Sequence, residues 1–408
     1  MPNRFPYFLT WLSLVVFTGI VFIPFDFDLI KFQLVFTDLI FGAPIQWIGD
    51  TFFGMFVYDT KVYSDSVSMY ILMLVLIVLA IFITIGIRIF KRATIYAGAI
   101  FAYTYRLGTY YLALQLLHYG LDKVFKAQFY LPEPNILYTP LGQVSKDLLF
   151  WSSMGTSYGY NIFIGSVEVI AALLLLFKRT RLIGILMGIA CMVQIVAINF
   201  SFDISVKLYS SFLLLIGCFL IIPYSQSISA FLLKQQLVPV RTIPEIKFVK
   251  KAFPVTFLKA LIIGLIFIEA SFPYIQSRNF NDDTVARPFL HGAYEVKSVS
   301  APSDSLPVTQ FPIKRFFIHR NGYLIFQNQQ DEMQDFNFTY DTVAKVFLVK
   351  NYQGQETLLQ YQYQPKDSIL SLQYFLNDKE YRLQGKSQKW QQMPAVRHSF
   401  HWTIDGGE

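Results

Sequence analysis

Long apolar runs separated by short charged connections fill the first two thirds of the chain, and single-residue alternation of apolar and polar positions takes over after Ser277. Roughly 20 apolar residues cross the hydrocarbon core of a bilayer. By that measure spans are predicted near 8–25, 67–87, 94–118, 160–177, 182–200, 207–223 and 255–273. The first run follows Arg4, and no small-x-small cleavage site comes after it, so it reads as an uncleaved span. Residues 30–56 are apolar but broken by Asp38, Pro44 and Asp50, which predicts an interfacial or re-entrant segment. Residues 127–159 carry three prolines and a helical pattern near 143–151, and are expected to form an outer insert, a lid over the bundle.

Beyond Ser277 the period is two. Leu359, Tyr361 and Tyr363 alternate with Gln360, Gln362 and Gln364, with breaks at Pro365-Lys366-Asp367 and Asn377-Asp378. Asn321-Gly322 stands between two strand-like runs, a strong hairpin signal. The pattern predicts an antiparallel barrel or sandwich. The expected fold is a multispanning all-α membrane bundle of about seven transmembrane helices plus a C-terminal extracytoplasmic all-β domain. Its divisions are N-terminal helices with the interfacial segment over 1–93, a helical core over 94–224 with the insert 127–159, a basic connection and last span over 225–277, and the β-domain over 278–408.

Composition supports the membrane class: 54% of the 408 residues are hydrophobic and 15% charged, and mean hydropathy is +0.42. The net charge of +7 would elsewhere suggest nucleic acid, but the basic residues sit in short clusters between spans and act as orientation signals. Arg88, Lys91 and Arg92, then Lys178, Arg179 and Arg181, then Lys234, Arg241, Lys247, Lys250 and Lys251 form the basic connections. Connections holding Asp26, Asp28, Asp38, Asp50, Asp59 and Asp65 alternate with them. Seven spans then put the N-terminus in the cytoplasm and the β-domain outside it. Cys191 and Cys218 lie in apolar runs without C-x-x-C spacing, which argues against a thiol-disulfide centre.

The polar residues within the spans carry the candidate chemistry. Counted from the cytoplasmic ends, Arg106 and Glu168 reach similar depth and are expected to pair. Such a pair either pins two helices together or serves a proton or ligand pathway. Gln194 sits at a similar level, and a second layer nearer the outer surface holds His118, Asp122, Lys123, Lys126, Asn199, Asp203 and Lys207. His118, Lys123, Asn199, Asp203 and Lys207 are the candidate ligand-binding set. Thr104, Tyr111, Gln115, His118 and Asp122 form one stripe, with Arg106 on another side, so this helix should be central. His118 has no second intramembrane histidine for a bis-His haem, and nothing in the spacing brings His118, Asp122 and Asp203 together on a metal. Asp203 and Lys207, at i and i+4, also fit a simple helix-start pair. No catalytic residue is assigned.

Arg106 early in a span, Gly120-Leu121-Asp122-Lys123 at its outer end, then Gly165-x-x-Glu168 and "LLLLFKRTR" resemble the DoxX family of four-helix membrane proteins, including its DoxD-type members. The match covers about 95–223, at Arg106, Gly120, Lys123 and Glu168. The extra spans, the insert and the β-domain make the chain similar to larger members of Bacteroidetes-type bacteria. The resemblance implies a multi-pass protein of the bacterial inner membrane, with its β-domain in the periplasm and an association with quinone-linked redox chemistry. Three functions remain open: a DoxX-like component of a redox or envelope complex binding quinone near the outer leaflet, a non-catalytic scaffold whose β-domain binds a membrane or periplasmic protein, and a small-molecule transporter. No other cofactor is expected, and no nucleic-acid partner.

Overall fold

The computed structural model describes residues 5–25, 32–54, 64–89, 93–239, 255–300, 312–376, 379–397 and 402–403. Arg4, Asp26, Asp28, Asp59, Lys91, Arg92, Arg241, Lys247, Lys250, Lys251 and the Asn377-Asp378 break lie outside the described residues. The chain divides into two compact units, Met1–Gln128 with Tyr158–Asp282, and Phe129–Ser157 with Asp283–Glu408. The insert therefore groups with the β-domain.

In chain order the α-helices are α1 (Phe5–Phe22), α2 (Phe32–Ile48), α3 (Val67–Ile89), α4 (Ala93–Val124), α5 (Pro134–Leu137), α6 (Lys146–Gly155), α7 (Tyr158–Leu176), α8 (Arg181–Ser201), α9 (Lys207–Ile221), α10 (Ser225–Lys234) and α11 (Val255–Ser277). Helices α5 and α6 belong to the second unit, the rest to the first. Five helical segments, Val67–Ile89, Tyr158–Leu176, Arg181–Ser201, Lys207–Lys234 and Thr256–Thr284, are long and apolar enough to cross a bilayer, so the first unit is a multi-pass membrane bundle. The 18-residue α1 and the 32-residue α4 fall outside that measure, α4 because polar side chains run along its length.

Helix α4 is central, packing against α1, α7, α9 and α11. Small residues let the helices close up: a Cβ on Gly184 of α8 would stand 2.6 Å from the Leu175 backbone nitrogen of α7. The segment expected to be interfacial is helical through Pro44 and continues into a π-helical turn, Gly49–Phe53. Its Gln33 Nε2 donates to the carbonyls of Ile20, Val21 and Ile23, and Thr37 donates to Phe22. The last carbonyls of α1, which have no partner within their helix, are met in this way.

Strands β1 (Gly292–Ser300), β2 (Ile313–His319), β3 (Tyr323–Asn328), β4 (Met333–Asp341), β5 (Val346–Lys350), β6 (Glu356–Gln364), β7 (Ile369–Leu376) and β8 (Lys379–Ser387) form a closed antiparallel meander. Pairing of Tyr294 with Ser387 and of Val296 with Gly385 joins β1 to β8. Gly322, at φ +75°, turns β2 into β3 where the Asn-Gly signal predicted a hairpin. Alternation sends Leu359 and Tyr361 inward and leaves Gln360, Gln362 and Gln364 exposed.

One half of the barrel interior is filled by rings. Tyr294 and Phe316 stack at 5.0 Å, and Phe347 stacks on Tyr361 at 4.5 Å. Gly385 makes room for them, since a Cβ there would meet the Phe316 ring at 2.3 Å. The other half is hollow, a cavity of about 820 Å³ lined in part by Phe326, Phe336, Val349, Leu359 and Leu372. At ~24 cal/mol per Å³ a sealed void of that size would cost roughly 20 kcal/mol, more than a whole domain's usual stability of about 5–15 kcal/mol. The space must therefore be open to solvent or occupied.

The insert packs on the outer face of β2 and β3. Tyr138 joins Ala293, Phe317, Ile325 and Met333 in a small apolar cluster, and Gln327 Nε2 donates to the Tyr138 carbonyl at 3.1 Å.

Candidate functional site

The C-terminal half of α4 concentrates the buried polar groups of the helical unit. Gly120 faces Gly165 of α7 so closely that a Cβ on Gly120 would lie 2.8 Å from the Gly165 carbonyl oxygen, and one on Gly165 would lie 2.6 Å from the Gly120 carbonyl oxygen and 2.9 Å from the Lys123 Cβ. Side chains on a helix lean toward its N-terminus. On antiparallel helices in this register, Lys123 and Glu168 consequently lean toward each other. They meet: Lys123 Nζ lies 2.8 Å from Glu168 Oε2, with both side chains 6% exposed. The ammonium also donates to the Tyr119 carbonyl at 3.2 Å and stands 5.3 Å from the centre of the Tyr119 ring.

This corrects the expected pairing of Glu168 with Arg106. Arg106 is 123 − 106 = 17 residues from Lys123, about 25 Å along α4 at 1.5 Å per residue, too far for its side chain to share that carboxylate. Counting depth from helix ends misled because α4 has 32 residues and α7 only 19, so their ends are not level. Arg106 Nη1 donates to the Ala102 carbonyl one turn back.

The stripe on α4 serves several neighbours. Thr104 donates to the Ser13 carbonyl of α1 at 3.3 Å, the hydroxyls of Tyr111 and Tyr209 of α9 are 2.9 Å apart, and Tyr274 of α11 donates to Asp122 at 2.5 Å. His118 is buried, its ring 5.7 Å from that of Phe25, which stacks on Tyr209. Gln115 is fully buried, and neither end of its amide meets a hydrogen-bond partner among the described residues.

The five candidate ligand residues divide into three groups. His118 and Lys123 share the buried end of α4. Asn199 is buried and donates to Ser210 Oγ at 3.0 Å. Asp203 has an 82% exposed side chain and pairs with Lys207 at 2.7 Å, the i, i+4 pair that the spacing allowed. Lys207 is also 3.6 Å from Asp65, whose carboxylate accepts from the backbone N–H of Lys207 and Leu208 at 2.9 Å each. That carboxylate caps the start of α9. Asp203 and Lys207 thus act at a helix start and do not join the buried group.

A second buried ionic cluster, in the β-barrel unit, has no sequence signature, because its members come from the insert and from two points of the barrel. His291 Nε2 donates to Glu133 Oε2 at 2.7 Å, His319 Nε2 lies 4.0 Å from the same oxygen, and Arg320 Nε is 3.4 Å from Oε1. The Arg320 guanidinium sits 3.7 Å from the centre of the Tyr130 ring. Burial alone would raise the Glu133 carboxyl. The His291 hydrogen bond and the charges of His291, His319 and Arg320 outweigh it and hold the pKa below the usual carboxylate range. Burial lowers His319, against the pull of Glu133. The cluster is a four-residue latch closing the insert onto the barrel.

Fold and polar groups together define a class: a multi-pass helical membrane protein carrying a closed eight-stranded antiparallel barrel. No protein-family profile and no solved structure matches the chain. It is 35% identical over 119 residues to the uncharacterized protein YwoB of Bacillus subtilis (strain 168), a match covering 29% of this chain and 73% of that protein, and it belongs to the YwoB family.

Proposed function

We propose that this chain is a DoxX-like component of a redox or envelope complex in the bacterial inner membrane, receiving a quinone headgroup at the outer end of α4. The Lys123–Glu168 pair carries the reading. Ionised groups are costly to hold inside a membrane bundle, and here a close glycine contact is given over to seating two of them. Tyr119, Tyr111, Tyr209 and His118 surround the same stretch of α4, offering hydroxyl and imidazole groups to quinone oxygens. Electrons would come from a partner protein. In this reading α1 and α4 also cross, giving seven spans, a cytoplasmic N-terminus and a periplasmic barrel.

The test is extraction of the protein with its native lipid and assay of retained quinone. Wild type should retain it, and His118→Ala and the Lys123→Leu/Glu168→Leu double variant, which leaves no stranded charge, should each lower it several-fold without unfolding the bundle. Unchanged quinone in the variants, or none in wild type, leaves the second reading, a scaffold. That alternative is favoured by the Glu133 latch, which makes insert and barrel one rigid platform for a partner protein.

A further inference from the structure

The barrel cavity is a built feature. Along β5 to β8 the positions nearest the ring-filled end carry Phe347, Tyr361 and Leu370, whereas one inward step further on stand Val349, Leu359, Leu372 and Leu383. Each of these is smaller than would be needed to close the space. Pairing is unbroken from β4 to β8, so on that wall the hollow comes from residue size, while on the β2 wall the register shifts between Ile313 and Arg315. Its volume of about 820 Å³ lies within the range of roughly 300–1,000 Å³ typical of small-molecule sites. An eight-stranded barrel is also the size that encloses one small ligand.

The chemistry of the lining selects the ligand. The wall is aliphatic and aromatic. The mouth carries the amides of Gln334, Asn351 and Gln355 and the hydroxyl of Thr357. Among the described lining residues there is no lysine, arginine or histidine, and the one charged group is Glu332, whose Oε2 accepts from Asn328 Nδ2 at 2.8 Å. A fatty carboxylate or a phosphate entering here would meet a like charge and no cation. A hydroxyl or carbonyl head would meet groups able both to donate and to accept.

We propose that the barrel cavity binds a neutral amphiphile, its apolar body inside the barrel and an uncharged hydroxyl or carbonyl head at the amide-lined mouth. The site is independent of Lys123 and of the quinone reading.

The probe is a monoacylglycerol carrying a photoreactive diazirine in its chain, applied to the full-length protein in lipid nanodiscs, with cross-links mapped by mass spectrometry. Peptides within 323–376 should be labelled saturably, and unlabelled monoacylglycerol should compete. Filling the cavity with Leu359→Trp or Leu372→Trp should lower barrel labelling at least tenfold, while any labelling of the helical unit stays unchanged. Circular dichroism checks that these variants keep their strands. If one misfolds, saturation and competition in the wild type decide alone. Absence of saturable barrel labelling, labelling indifferent to a folded cavity-filling variant, or stronger labelling by a matched carboxylate or amine probe would overturn the proposal.

Discussion

Gly120 and Gly165 meet backbone to backbone, and this contact determines which cation Glu168 receives. Helix ends suggested Arg106. The glycines place Lys123 there instead.

Gly165→Ala should separate α4 from α7, because its Cβ would stand 2.6 Å from a carbonyl oxygen that cannot move without its helix. Overpacking of this kind costs about 1–3 kcal/mol, and here it also pulls the ion pair apart. Thermal unfolding in detergent should show a clear loss. Gly264→Ala in α11, with nothing within 4 Å of its Cβ, should leave the melt unchanged or slightly improved.

Removing one member of the buried pair strands the other. Lys123→Leu and Glu168→Leu should each lower stability by about 3–5 kcal/mol, and the double variant should recover much of that loss. Arg106→Leu should show no coupling to Glu168 in the same double-mutant cycle. Coupling between those two would contradict the register described above.

Acid should loosen the insert from the barrel. Glu133 and His319 both have lowered folded-state pKa values, so each contributes stability that is present above its unfolded value and lost as pH falls through the folded one. Melting of the barrel unit should therefore weaken as pH drops below about 6.5, where unfolded histidine takes up protons. Weakening should deepen below 4.5, the unperturbed value of the carboxyl. Glu133→Gln should destabilise at neutral pH and flatten the lower limb of the profile. A melt independent of pH from 7 to 4, a range set by about those values, would rule out the latch.

Reporter fusions test the orientation drawn from the basic connections. Fusions after Lys91 and Arg181 should report the cytoplasm, and one after Glu408 the opposite side. A cytoplasmic signal at Glu408 would take one span from the proposed seven, with α1 the first to go.

Much of this architecture is legible along the chain. Apolar runs marked the bundle helices, and the Tyr-Gln alternation and the Asn321-Gly322 turn marked the meander. Both are local patterns. Closure of the barrel was not legible, because it rests on Tyr294 meeting Ser387, nearly the full domain away. Nor was the Lys123–Glu168 pair, although both residues had been singled out: a helix-to-helix register is decided by backbone approach at two glycines and not by length. The Glu133 latch was the least visible, since a lone glutamate between prolines carries no pattern until His291 and Arg320 reach it.

That latch sets a timetable for synthesis. Glu133 leaves the ribosome 158 residues ahead of His291. At about 5–20 residues per second its partner follows roughly 8–30 s later. For that interval the insert has been made and its barrel has not, while α7 to α11 are still being delivered. A truncated C-terminal piece is accordingly the wrong tool for studying the barrel. Expressing 283–408 alone would leave His291 and Arg320 without their carboxylate, and a second polypeptide supplying 129–157 should rescue it by complementation.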